Sequence, residues 1–331
     1  MKKAFLTLSL ILCCNLFACI YAQSAASYDS AIIANDTLIR VQAQPQKGFN
    51  FAYYIFIPGG TVVTKKQPLL IEPNNTGIND TLAFHEKGAM AEAQSKSLGN
   101  QMARKLKCPY LVPAFTRPAK IRKTYTHAFD RDAAKIKHGD LIRLDLQLIN
   151  MINDSRLQLQ KVNIQLFEKV LLNGFSASGT FVNRFTALHP EMVMATASGG
   201  TNAIVILPIK RIGKTKLNYP LGINDFEQLF QQQFNLADYR KIPQFIYLGA
   251  NDTNDAVMFD DAYSNKERKA VFSVIGKDMH ERWKTCERIY HENGINATFT
   301  LYENIGHGTD RKINNEIAAF FSDIIAKIGK E

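Results

Sequence analysis

The sequence is poor in cysteine, and three of its five cysteines lie within the first 19 residues. The rest of the chain keeps only Cys108 and Cys286, which are too few for a disulfide framework. One disulfide between them and two separate buried thiols both remain open. No cysteine and histidine cluster has the spacing of a metal site, so we expect no structural zinc.

Long hydrophobic runs, internal repeats and low-complexity linkers are also absent from the sequence. The apolar run at residues 4–12 is too short to span a bilayer, so we expect no transmembrane segment in the mature chain. The remaining length suffices for one large domain with an ample core.

Basic residues exceed acidic ones, giving a formal net charge of +10, but they are scattered along the chain. They do not form a basic stripe with interleaved aromatics, so we expect no nucleic-acid partner. The charge favours an acidic surface or substrate only weakly, and a solvated basic surface is the simpler interpretation.

Residues 1–22 have the pattern of a signal peptide. Lys2 and Lys3 precede the apolar run, and Ala22 supplies the small residue of a cleavage site. We therefore expect a mature chain of residues 23–331 that is secreted or periplasmic. The alternative is a lipoprotein anchored through Cys19, whose preceding residues resemble a bacterial lipobox.

Apolar runs typical of strands alternate with patterns typical of helices along the chain. The predicted strands are residues 51–58, 67–72, 109–115, 170–172, 192–195, 245–248 and 299–302. The predicted helices are residues 83–106, 139–158, a helix ending at 188, and 313–328. This alternation predicts a mostly parallel central sheet flanked by helices on both faces.

Residues 174–179 carry the strongest chemical signal, because they lie between a predicted strand and a predicted helix. A tight strand-to-helix turn that exposes a serine needs small residues two positions to either side, and Gly174 and Ser178 flank Ser176 in this way. Such a turn presents Ser176 as a nucleophile and aims the N–H of Ala177 at a developing oxyanion. A plain glycine–serine turn is the simpler alternative.

Two other serines fit this role less well. Ser178 lies inside the predicted helix. Ser198 also follows a predicted strand, but residues 203–207 after it look extended rather than helical, so we expect Ser198 in a loop.

A candidate acid follows the predicted strand 245–248, in a loop that holds Asp252 and Asp255. Asp252 is favoured because it lies closer to the strand end, where its position is better fixed, and Asp255 is the alternative acid. A turn rich in asparagine and aspartate is the simpler interpretation. The candidate base is His307, between two glycines after the last strand, and a surface loop histidine is its alternative.

The order Ser176, Asp252, His307 is the nucleophile, acid and base order of α/β-hydrolases. Residues 174–193 resemble the elbow, helix and next strand of secreted bacterial esterases of that superfamily. The resemblance implies the α/β-hydrolase fold and a carboxylic ester hydrolase that acts through an acyl-enzyme on a small-molecule or polymer ester, without metal or organic cofactor. A serine peptidase with the same triad and a non-catalytic exported binding protein on this scaffold remain alternatives.

The resemblance also implies a second oxyanion donor in the loop at residues 73–77, where the backbone N–H of Asn75 or Thr76 is the candidate. That loop lacks the His-Gly dipeptide common in the superfamily. Tyr125 and His127 are candidates for substrate binding, with a structural His–Asp hydrogen bond as the alternative. Residues 200–243 form either a lid over the site or a packed peripheral segment.

Overall fold

The computed structural model describes residues 31–95 and 97–329. The predicted signal peptide, its cleavage site after Ala22 and the alternative anchor at Cys19 all lie outside these residues.

Ten strands and ten helices make up the described chain, apart from short 3-10 turns and a π-helical turn at Val271–Ile275. The strands are β1 (Thr37–Val41), β2 (Tyr53–Ile57), β3 (Leu70–Ile71), β4 (Tyr110–Pro113), β5 (Val170–Phe175), β6 (Val193–Gly199), β7 (Arg211–Ile212), β8 (Thr215–Lys216), β9 (Gln244–Gly249) and β10 (Ala297–Tyr302). The helices are α1 (Leu82–Gln94), α2 (Leu98–Leu106), α3 (Arg131–Ala134), α4 (Leu144–Gln160), α5 (Ala177–Leu188), α6 (Phe226–Phe230), α7 (Leu236–Tyr239), α8 (Asn265–Ala270), α9 (Met279–Glu292) and α10 (Arg311–Ile328).

Eight of the strands form one sheet in the order β1-β2-β4-β3-β5-β6-β9-β10. The first two pairings, β1 with β2 and β2 with β4, are antiparallel, and the remaining pairings are parallel. Every residue of β2, β6 and β9 is buried, as expected for strands covered on both faces. The expected fold class, a mostly parallel sheet flanked by helices, is confirmed.

One prediction about an element is refined by the structure, and another was wrong. Residues 83–106 form two helices, because the chain leaves the helix at Ser95 and Ser97 caps the next one through the N–H of Asn100. Ser198 lies in β6 and not in a loop, where it pairs with Gly174 and Ile246 in the neighbouring strands. The end of β6 lies close to α5, since a Cβ on Gly179 would be 2.4 Å from the oxygen of Gly199.

The core has two halves, one on each face of the sheet. Cys108 packs in one half and Cys286 in the other, and both are free buried thiols. The segment 200–243 is packed into the core through buried aromatic residues such as Tyr219 and Phe230. Its role as a lid stays a prediction, and its packing favours the peripheral alternative.

Candidate active site

The turn from β5 into α5 holds Ser176 in an unusual backbone conformation. Its φ is +61° and its ψ −123°, a region that non-glycine residues rarely adopt. The N–H of Ser176 donates to the carbonyl of Gly199 at 2.9 Å, which ties the turn to β6. A strained residue at the carboxyl end of a central parallel strand, opening a helix, is the geometry expected of a nucleophile elbow.

Close backbone contacts explain why small residues surround Ser176. A Cβ on Gly174 would lie 2.5 Å from the backbone carbonyl atoms of Ser178, and one on Gly179 would lie 2.4 Å from the oxygen of Gly199. The hydroxyl of Ser178 donates to the carbonyl of Phe175 at 2.9 Å and accepts its N–H at 3.0 Å. Ser178 therefore stabilises the turn, while Ser176 lines the cleft above it.

Asp252 and His307 meet because β9 and β10 are adjacent and end in register, with Tyr302 opposite Gly249. The Oδ2 of Asp252 lies 2.8 Å from the Nδ1 of His307. The Asp252 side chain is 2% exposed and that of His307 is 27% exposed. A carboxylate on Nδ1 holds the tautomer that leaves Nε2 free to accept a proton.

The other ring nitrogen of His307 faces Asn254, whose Nδ2 lies 3.1 Å away. The His307 ring packs against Phe175, the last residue of β5, with ring centroids 4.8 Å apart. The histidine is thus beside the elbow, but in the described part of the chain it makes no hydrogen bond to Ser176. Catalytic hydrogen bonds are often formed only in the complex with substrate.

Asp255 occupies a different environment from Asp252. Its Oδ2 lies 2.5 Å from Nη2 of Arg282, a fully buried side chain, and its Oδ1 accepts the N–H of Val257. The structure therefore brings Asp252 to the histidine and uses Asp255 to neutralise a buried arginine.

Side chains hold the predicted oxyanion loop in place. The N–H of Asn75 donates to the carboxylate of Glu92 at 3.2 Å, and the hydroxyl of Thr76 lies 2.7 Å from Nδ1 of His85. Burial raises the pKa of Glu92 to about 7. The N–H of Thr76 has no partner within the described residues, so it is the freer of the two candidate donors. Ala177 lines the cleft, whereas these two residues do not.

The structure separates the two candidates for substrate binding. Tyr125 lines the cleft, with the guanidinium of Arg117 3.4 Å above the centre of its ring. His127 lies outside that lining, 1% exposed, with its Nε2 2.9 Å from the carbonyl of Phe115. Burial lowers the pKa of His127 to about 3. The alternative, a hydrogen bond with Asp130, is not formed, since Asp130 caps α3 through the N–H of Ala133.

The cleft in front of Ser176 has a volume of about 710 Å³. Several residues that line the cleft were not predicted from the sequence: Arg117, Arg122, Lys123, Arg184, Asn254, Met258, Phe259 and Tyr263. One signal was available, because Ser176, Thr180 and Arg184 follow each other at intervals of four residues. That spacing puts them on the same side of a helix. The segment around Phe259 carries no such pattern.

Two observations on the described residues concern other kinds of site. Nowhere in 31–95 and 97–329 do three or more His, Cys, Asp or Glu side chains group in a way that could hold a metal ion. No helix within the same ranges is long and apolar enough to cross a membrane.

Comparison with solved structures identifies the fold. A poly(aspartic acid) hydrolase from Sphingomonas sp. KT-1 superposes with a TM-score of 0.55 at 15% identity, over 87% of this chain and 98% of that one. A poly(3-hydroxybutyrate) depolymerase from Bordetella parapertussis gives 0.49 at 17% identity, over 88% and 90%. An S-formylglutathione hydrolase from Agrobacterium tumefaciens gives 0.47 at 11%, over 90% and 98%.

At these identities the likeness concerns the fold alone, and the fold is that of the α/β-hydrolases. No family model matches the sequence, and no curated protein matches it.

Proposed function

We propose that this protein is a serine hydrolase that cleaves a carboxylic ester through an acyl-enzyme on Ser176. One observation carries the proposal: a strained serine between β5 and α5 lines a cleft beside a hydrogen-bonded Asp252–His307 pair. Asn254 connects the cleft to the Asp252–His307 pair, because it lines the same cleft as Ser176 and contacts the Nε2 of His307.

The chemistry follows from the side chains in place. His307 takes the proton of the Ser176 hydroxyl as the oxygen attacks the ester carbonyl, and Asp252 stabilises the imidazolium through Nδ1. The protonated His307 then gives its proton to the leaving alcohol. Water attacks the acyl-serine by the same route and releases the acid, which restores Ser176.

Nε2 must exchange its contact with Asn254 for one with Ser176 during this cycle. We expect the Asn254 side chain to move away in this exchange, while its backbone N–H stays bonded to Asp252 at 2.8 Å.

Two backbone donors are proposed for the oxyanion. The N–H of Ala177 opens α5, where the helix dipole also favours negative charge. The second is the N–H of Thr76, since that of Asn75 is already bonded to Glu92.

Hydrolysis of a panel of 4-nitrophenyl esters and aminoacyl 4-nitroanilides tests this function. We expect ester turnover that exceeds anilide turnover and is lost in Ser176→Ala. Cleavage of the anilides alone would favour the peptidase, and turnover of neither, with binding retained, the non-catalytic alternative.

Export is a separate proposal, based on the pattern of residues 1–22. The intact mass of the protein recovered outside the cytoplasm distinguishes a chain that begins at Gln23 from one that begins at a lipid-modified Cys19. A protein that keeps Met1 would contradict both.

A further inference from the structure

The cleft that contains Ser176 carries an excess of positive charge. The cationic side chains of its lining outnumber the carboxylates: they are Arg117, Arg122, Lys123 and Arg184, against Asp260 and Asp261. In a cleft with low-dielectric walls, such an excess raises the local concentration of anions.

Both carboxylates already have ion-pair partners. Asp261 lies 2.5 Å from Nη2 of Arg117, and Asp260 pairs with Arg268, which is outside the lining. Arg122, Lys123 and Arg184 make no ion pair with any residue in the described ranges. The positive charge of these three side chains is therefore not neutralised within the cleft.

Of these three side chains, Arg184 gives the strongest evidence for a bound anion, because it is only 3% exposed. Its Nη1 donates to the carbonyl of Ala128 at 2.7 Å, and its Nη2 lies 3.4 Å from the hydroxyl of Tyr263. Both acceptors are neutral, and a guanidinium has five N–H donors to place. A buried cation without a counter-ion is costly, so its retention in a cleft points to an anionic ligand.

Asp130 interacts electrostatically with Arg184 and is therefore a candidate for an internal counter-charge. The attraction of Arg184 lowers its pKa, but burial has the larger effect and raises the pKa of Asp130 to about 7. Its Oδ1 accepts the N–H of Ala133 at 2.8 Å, and it stays outside ion-pair distance of Arg184. Asp130 therefore neutralises Arg184 only in part.

We propose, resting on the function inferred above, that the substrate ester carries a carboxylate bound by Arg122, Lys123 and Arg184. Arg184 lies two helical turns beyond Ser176, about 12 Å along the axis of α5, and helical side chains point back toward the N-terminus, the end at which Ser176 lies. Both residues line the same cleft. The planar fork of arginine matches the two oxygens of a carboxylate.

Two pairs of esters test the proposal, and in each pair one member carries a carboxylate and the other carries its methyl ester. 4-Nitrophenyl hydrogen adipate and its methyl ester place the carboxylate on the acyl side. 4-Acetoxybenzoate and its methyl ester place it on the leaving-group side. We expect kcat/KM for the anionic member to exceed that for the neutral member about tenfold in at least one pair, and this ratio to fall in 0.5 M NaCl.

Variants that remove one or two positive charges show which side chains cause the preference for the anionic ester. Arg122→Gln/Lys123→Gln should lower the anionic-to-neutral ratio about fivefold, and Arg184→Gln about tenfold. The matched control is Lys65→Gln/Lys66→Gln, an adjacent pair of exposed lysines outside the cleft lining, which should keep the wild-type ratio. If Arg184→Gln fails to fold, Arg122→Gln/Lys123→Gln, which changes only exposed side chains, still tests whether the cleft binds the carboxylate.

Binding separates this proposal from the proposed function. Calorimetry with Ser176→Ala should detect adipate but not dimethyl adipate, and the double variant added to it should weaken adipate binding. If no ester is cleaved while adipate binds in this way, the anion subsite stands and ester hydrolysis fails. A ratio near one in both ester pairs, together with no binding of adipate, would overturn the proposal.

Discussion

Two loops that follow neighbouring parallel strands, β3 and β5, are held in place by different means. The turn after β5 is fixed by contacts within a few residues: Gly174 and Gly179 leave no room for a Cβ, and the Ser178 hydroxyl bonds the backbone of Phe175. The loop after β3 is fixed by side chains: Asn74 bonds both backbone groups of Phe115, and Glu92 accepts the N–H of Asn75. Close contacts within a turn can therefore be predicted from a short stretch of sequence, whereas a side-chain network depends on partners far along the chain.

The largest effect should come from adding one methyl group to the turn after β5. Gly179→Ala places a Cβ 2.4 Å from the backbone oxygen of Gly199, and we expect a loss of about 3 kcal/mol or more in the free energy of unfolding. Gly77→Ala is the matched change after β3, where φ is +83° but no atom lies within 4 Å, and should cost about 1 kcal/mol. Urea unfolding of both variants measures the difference, and equal losses would contradict the contrast between the loops.

The second effect concerns the carboxylates after β9. Asp252→Asn should lower kcat by about 10² to 10⁴, because His307 loses the group that stabilises its charged form. Asp255→Asn should instead lower stability by about 1–3 kcal/mol, since buried Arg282 loses its partner, with turnover per folded molecule nearly unchanged. Kinetics at equal folded concentration compare the two, and a large kcat loss in Asp255→Asn alone would reverse the assignment.

A third, smaller effect concerns Glu92, the ionisable side chain that contacts Asn75 in the loop after β3. The pKa of Glu92 is about 7 in the folded protein and 4.5 in its ordinary state, so the folded form holds an extra proton between these values. Stability contributed by Glu92 is therefore present below pH 4.5 and lost as the pH rises through 7.

Glu92→Gln keeps an acceptor for Asn75 and removes the titration. We expect the variant to lose about 3 kcal/mol less stability than the wild type between pH 4.5 and 8, as measured by urea unfolding across that window. If the stability of the two proteins changes equally with pH, the pKa of Glu92 is the same in the folded and unfolded states.

The smallest effect should follow from Thr76→Val, which removes the hydroxyl that contacts Nδ1 of His85. The same oxygen accepts a hydrogen bond from Nδ2 of Asn74 at 3.2 Å, so the loss of both contacts should cost about 1–2 kcal/mol. Because the proposed oxyanion donor is a backbone N–H, turnover per folded molecule should fall by threefold at most. Thermal unfolding and ester kinetics check both parts, and a kcat loss far beyond threefold would point to the hydroxyl itself.

The difference between the turn after β5 and the loop after β3 also explains how much of the structure could be predicted from the sequence. The fold class and the place of Ser176 followed from short local patterns, because a strand, a turn and small flanking residues lie within a few positions. The two-helix division at Ser97 was missed, since helix-forming residues on both sides mask a single cap. The strand position of Ser198 was missed because its neighbours in β5 and β9 decide it.

The candidate site shows the same division. Asp252 and His307 were named from loops that follow strands, and the structure places them 2.8 Å apart. The contact of Glu92 with Asn75 joins residues 17 positions apart on separate elements, and no local pattern signals it. The cationic wall of the cleft also assembles from separate elements, and only Arg184 shares a helix with Ser176.

Labelling by a fluorophosphonate probe shows whether Ser176 is the nucleophile. Intact mass should show one adduct on the folded wild type, and peptide mapping should place it on Ser176. Ser176→Ala should stay unlabelled, while Ser178→Ala, a neighbour whose hydroxyl only bonds Phe175, should still be labelled if it folds. An adduct of equal yield on folded Ser176→Ala would contradict the account.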